Sequence, residues 1–177
     1  MFFRKKKNDG SVPIEYKRGK IKNNVYRSKC LGYTIQICDG FEVRDAEHCE
    51  RESTPEDICD FFGILATDVH VGVNYIPHDG SVMISDNATR DMLGSAMATR
   101  LNEQQRGRAE STYYGVVDFC GKPCCHSIMH SQKDGKEWIC ELYQYYSSYY
   151  MLQFGFLYLP ENKWHVDEAK ALFSSSS

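Results

Sequence analysis

The chain has 177 residues, 42% hydrophobic and 25% charged, with a formal net charge of −3. That suits one soluble domain with a sizeable core, and no apolar run approaches the roughly 20 residues needed to span a bilayer. The charge is uneven. Residues 1–29 carry ten Lys/Arg against Asp9 and Glu15, and the remainder is acidic, most densely from Asp39 to Asp60.

Residues 1–13 read as a flexible basic arm. Met1-Phe2-Phe3-Arg4-Lys5-Lys6-Lys7 starts like a signal peptide, but polar Asn8-Asp9-Gly10-Ser11 follows where an apolar stretch would be needed, so a cytoplasmic location is expected. Arg4, Lys5, Lys6, Lys7, Lys17 and Arg18 are candidate anion-binding residues. They would serve an electrostatic tether to nucleic acid or an anionic membrane surface, and a solvated tail explains them equally well. Strand pairing is expected from about Ile14, and one domain over residues 14–173. Tyr33, Ile35 and Ile37 alternate with Thr34 and Gln36 in a half-buried strand that ends at Asp39-Gly40.

Ser53-Thr54-Pro55-Glu56-Asp57 has the form of a helix start, and predicts a short helix bearing Ile58, Phe61 and Phe62, stopped by Gly63. A strand is expected over 64–73, a turn at His78-Asp79-Gly80 and brief pairing at Val82-Met83-Ile84. Apolar spacing predicts a helix over 89–102, with Met92, Leu93, Ala96, Met97 and Leu101 on its core face. Four strands follow, at 113–119, 124–131, 137–146 and 149–158, joined by Gly121-Lys122-Pro123, Lys133-Asp134-Gly135 and Ser147-Ser148. Tyr150, Leu152, Phe154, Phe156 and Tyr158 share one face, which a helix layer should cover. A last helix is expected over 166–173, and the serine run 174–177 carries no signal. The fold class is α+β: a single antiparallel sheet ending in a four-strand meander, packed against two to three helices.

These pieces resemble a PsbP/DcrB-like domain. Gly19–Tyr26 before Leu31-Gly32-Tyr33 looks like the family's entry, and Cys38-Asp39-Gly40-Phe41 takes the place of its turn. Phe119-Cys120-Gly121-Lys122, the run 138–156 and Pro160-Glu161-Asn162-Lys163-Trp164 are similar to its last strands and closing helix. The resemblance covers about residues 19–173 and rests on turn and strand patterns. It implies a scaffold that mostly binds other proteins, with no shared active site. The family includes an extrinsic photosystem II subunit, a Ran-binding import factor and many bacterial lipoproteins, and this chain departs in having neither an export signal nor a lipobox cysteine.

Chemistry is best sought at Cys120, Cys124, Cys125 and His126, where thiols and an imidazole could supply zinc ligands. The spacing fits no zinc or haem pattern, and adjacent strand residues face opposite ways, so these read as packed thiols around a hairpin. The eight cysteines suit packing in a reducing compartment. Cys125 or Cys140 paired with His126, His130 or His165 lacks a nucleophile motif. No cofactor is expected, and a non-catalytic module that binds another protein is the leading reading. Between Tyr143 and Tyr158 lie six tyrosines and two phenylalanines. Of these, Tyr143, Tyr145 and Tyr149 are expected opposite the core face, either as a docking surface or as tyrosines that simply favour strands.

Overall fold

The structure, a computed structural model, describes residues 14–44, 58–81 and 83–176. Two antiparallel sheets form its frame. The larger has the order β4 (Phe41–Val43), β5 (Ile58–Leu65), β6 (His70–Pro77), β10 (Tyr150–Tyr158), β9 (Lys136–Tyr146), β8 (Lys122–Lys133) and β7 (Ala109–Phe119). The smaller has the order β1 (Lys20–Lys22), β2 (Val25–Arg27), β3 (Tyr33–Gln36) and β11 (Phe173–Ser175). Two helices complete the described residues, α1 (Asn87–Gln105) and α2 (Lys163–Ala171), the second entered through a 3₁₀ turn at Pro160–Asn162.

Local chemistry explains most of these elements. Asn23 and Asn24 both take positive φ, 52° and 55°, in the two-residue turn that joins β1 to β2. Asparagine tolerates that conformation, and this turn type matches the natural twist of paired strands. Asp134-Gly135 closes the β8–β9 hairpin in the same way, with φ of 53° and 73°. The Asp86 carboxylate accepts the Thr89 N–H at 2.8 Å and caps α1.

The inner face of β10 is Tyr150, Leu152, Phe154, Phe156 and Tyr158, all buried, as the alternation predicts. Its cover differs from the expected helix layer. The small sheet turns Tyr26, Tyr33, Ile35 and Phe173 onto that face, so Phe154 meets Tyr33 edge-on at 5.3 Å and Phe173 at 5.7 Å, and α2 adds Val166 and Ala169. A single sheet is thus corrected to two, because strands β1–β3 at the start of the chain recruit β11 from its end. Ser174 and Ser175, in the serine run, pair with Thr34 and Tyr33 through their backbone, which needs no side-chain signal. The opposite face of the large sheet receives α1 over β7 and β8, where Gly94 lies against Tyr113 and Cys125.

The predicted helix carrying Ile58, Phe61 and Phe62 is strand β5 instead; residues 53–57, its proposed start, lie outside the described residues. Phe61 is buried among aromatic rings while Phe62 turns to the other face, which is strand alternation. Gly63 is no helix stop, since a Cβ there would stand 2.3 Å from the Phe41 ring. The expected strand at 64–73 is the end of β5, a turn and the start of β6. Met83 and Ile84 belong to no strand, and neither do residues 14–19. That segment is held by Asp60, whose buried carboxylate accepts hydrogen bonds from Tyr16 at 2.8 Å and, at very short range, from Tyr33. Tyr26 donates to the Asp60 carbonyl at 2.9 Å.

Candidate functional site

Adjacent strands carry matching positions to one face, and two steps of register build the site. Ile128 of β8, Glu141 of β9 and Phe156 of β10 stand in one row, with His126, Tyr143 and Phe154 in the next. A carboxylate thus sits on a core-facing position of a largely apolar sheet, and burial of such a charge requires partners. It has three. Glu141 Oε1 accepts from His126 Nε2 at 2.8 Å, from the Tyr143 hydroxyl at 2.6 Å and from Lys170 Nζ of α2 at 3.3 Å. The His126 ring lies between Tyr143, stacked at 4.6 Å, and Tyr114, at 5.3 Å.

Beside this cluster a cleft of about 470 Å³ opens between α2 and the strands, walled by Ile128, Glu141, Tyr158, Trp164 and Asp167. Two large aromatic side chains in this region remain in solvent: Trp164 is 64% exposed and Tyr114 57%. Trp164 is two residues from Val166, about 200° around the helix from the face that α2 buries. Tyr114 stands at the β-bulge of β7, the edge strand of the large sheet.

The electrostatics describe a satisfied cluster. Burial alone would raise the Glu141 pKa, but the hydrogen bonds from His126 and Tyr143 and the Lys170 charge outweigh it and hold the carboxyl at about 2. A carboxylate so stabilised is a poor proton acceptor near neutral pH. Burial, joined by the Glu141 charge, drives the Tyr143 hydroxyl upward. Burial pushes the thiols of Cys120 and Cys140 up to about 12, and those of Cys124 and Cys125 upward as well. None has the lowered pKa of an activated cysteine.

The predicted site residues are dispersed. Tyr143 and Tyr145 are corrected from the outer to the inner face: Phe154 pairs with Tyr143 and Leu152 with Tyr145, so both tyrosines share the core side and are 7% exposed. Tyr149 is half-buried, its ring over Gly80, where a Cβ would come within 2.5 Å. Cys124 faces the main core and Cys125 the side of α1, where its thiol donates to the Arg90 carbonyl at 3.1 Å. The strand therefore separates the two sulfurs of the suggested metal set, and His126 is committed to Glu141. Among the described residues no three Cys, His, Asp or Glu gather as metal ligands. Lys17 pairs with Glu15 at 3.0 Å and Arg18 donates to the Cys59 carbonyl at 3.0 Å, while Arg4, Lys5, Lys6 and Lys7 lie outside the described residues. Sequence reasoning missed Glu141, Lys170, Tyr114 and Trp164. The available signals were a lone acid inside the aromatic run 138–146 and a tryptophan off the apolar face of the last helix.

Among solved structures, the chain is similar to cyanobacterial PsbP (CyanoP) from Synechocystis sp. PCC 6803, with 13% identity and a TM-score of 0.51, covering 85% of this chain and 91% of that one. The chain has a PsbP-like fold. Weaker likenesses are to a Bacteroides thetaiotaomicron protein, with 12% identity, TM-score 0.41, and 82% and 45% of the two chains covered. LpqN of Mycobacterium tuberculosis, described as involved in cell envelope biogenesis, matches with 9% identity, TM-score 0.43, and 83% and 86% covered. No protein-family model matches the sequence, and no curated protein does. These likenesses concern the fold and carry no site residue across. No helix among the described residues is long and apolar enough to cross a membrane.

Proposed function

We propose that the chain is a non-catalytic protein-binding module that docks its partner across the Trp164–Tyr114 rim. The observation that carries this reading is two exposed aromatics beside one hydrogen-bonded cluster, Trp164 on the cleft that Glu141 lines and Tyr114 against His126. Tryptophan and tyrosine held on a pre-organised surface are the side chains that most often dominate binding. The Glu141 cluster then serves as a support: it fixes His126, and His126 with Tyr143 fixes the platform beneath Tyr114. Binding rather than turnover also fits the thiols, which burial keeps protonated, and a carboxylate that hydrogen bonds keep ionised.

The described cysteines are free thiols, which supports work in a reducing compartment such as the cytoplasm. The reading is tested by capturing the partner from native extract, purifying it and measuring Kd by calorimetry. Trp164→Ala and Tyr114→Ala should each weaken binding by about tenfold or more. Met92→Ala, at an exposed position on α1 and so on the other side of the large sheet, should leave it unchanged. Equal affinities for all three variants would contradict the site.

A further inference from the structure

The small sheet has an outer face that its core does not use. Tyr26, Tyr33, Ile35 and Phe173 point inward and are buried, so the alternate positions point away from the body. The register sets Lys20 opposite Arg27, and Lys22 follows two residues on, on the same side. All three are exposed. The other outer positions are Val25, Thr34, Gln36 and Ser174, and no strand of this sheet carries an acid. Among the described residues these three cations make no ion pair. In a chain whose residues beyond 29 are acidic on balance, three exposed cations on one side of this sheet form a directional feature.

We propose that this face docks on an anionic phospholipid surface, independently of the aromatic rim. One observation favours lipid over nucleic acid. Every aromatic ring of the small sheet is turned into the core, so the cationic face offers no stacking platform for bases. Ile21 pairs with Tyr26 and so points to the other side of the sheet, which leaves the contact to the three cations and the headgroup phosphates they meet. The contact is peripheral, and added salt weakens it.

The test is sedimentation of the full chain with vesicles of phosphatidylcholine, alone or mixed with phosphatidylglycerol. Binding is expected to the mixed vesicles only, and to fall as salt is added. A triple change, Lys20→Gln, Lys22→Gln and Arg27→Gln, should reduce the partition coefficient by about a hundredfold, one electrostatic increment for each cation lost. Arg4–Lys7 stay in every variant, so the loss belongs to this face. The charge-keeping Lys20→Arg, Lys22→Arg change should bind like the wild type, as should Lys133→Gln, Lys136→Gln on the β8–β9 hairpin. The positions are exposed, and matching thermal melts will show that the fold is intact. Wild-type binding by the triple variant, no binding of the wild type to mixed vesicles, or tighter binding to a DNA duplex at equal salt would each overturn the proposal.

Discussion

Glu141 and Asp60 are both buried carboxylates, and they are stabilised in different ways. Glu141 draws a histidine, a tyrosine and a lysine to one oxygen, whereas Asp60 receives tyrosine hydroxyls on both. For Glu141 the folded-state pKa lies at about 2, below its ordinary 4.5. The resulting stability is fully present above pH 4.5 and is lost as pH falls through about 2. Urea unfolding across that window should show the wild type losing on the order of 2–3 kcal/mol more than Glu141→Gln, whose profile should be flatter. An equal slope would deny the carboxylate its role. Asp60→Ala should cost more than either partner change alone, because it leaves the fully buried Tyr33 hydroxyl without its acceptor. A loss of roughly 1–3 kcal/mol is expected, recovered in part by adding Tyr33→Phe, and equilibrium unfolding of the three proteins checks it. Neither carboxylate's role is legible in the sequence. Alternation shows which residues share a face of one strand, but the face that Glu141 and Tyr143 occupy depends on how β9 registers with β10.

At the scale of elements, the C-terminal meander was readable because its strands are long, rich in β-branched and aromatic residues, and separated by turn residues. The register was not, and it decides where the tyrosines go. The Ser147 hydroxyl receives N–H donors from Tyr149 and Tyr150 and donates to the Tyr150 carbonyl at 2.9 Å. That knot sets Tyr146 opposite Met151, and with it Tyr143 and Tyr145 beneath the small sheet. Helix α1 shows another limit of pattern reading. Its contact face centres on Gly94 and Ala98, and Met92, assigned to the core by spacing, is 64% exposed. Small residues let the helix approach Tyr113 and Cys125, an interaction that hydrophobicity alone does not reveal. Gly→Ala inside a helix ordinarily stabilises by about 1 kcal/mol. Gly94→Ala should do the reverse and destabilise by about 1–3 kcal/mol, since the new Cβ would lie 2.6 Å from Tyr113 and 2.8 Å from Cys125 Cβ. Thermal or urea unfolding gives the sign directly.

Over the whole molecule, layering explains both what could be foreseen and what could not. An aromatic sheet face demands a cover, and that demand was visible in Tyr150 to Tyr158. Its cover is assembled from the two ends of the chain, β1–β3 and β11 with α2, and such long-range pairing leaves little local trace. The same layering decides exposure. It buries Tyr143 and Tyr145, and leaves Trp164 on the α2 cleft and Tyr114, against His126, in solvent. Hydrogen–deuterium exchange of the complex with the captured partner tests this account most directly. Peptides covering β7 around Tyr114 and the turn into α2 around Trp164 should gain protection on binding, while those of α1 stay unchanged. Protection confined to α1, with the Trp164 and Tyr114 peptides unaffected, would contradict it.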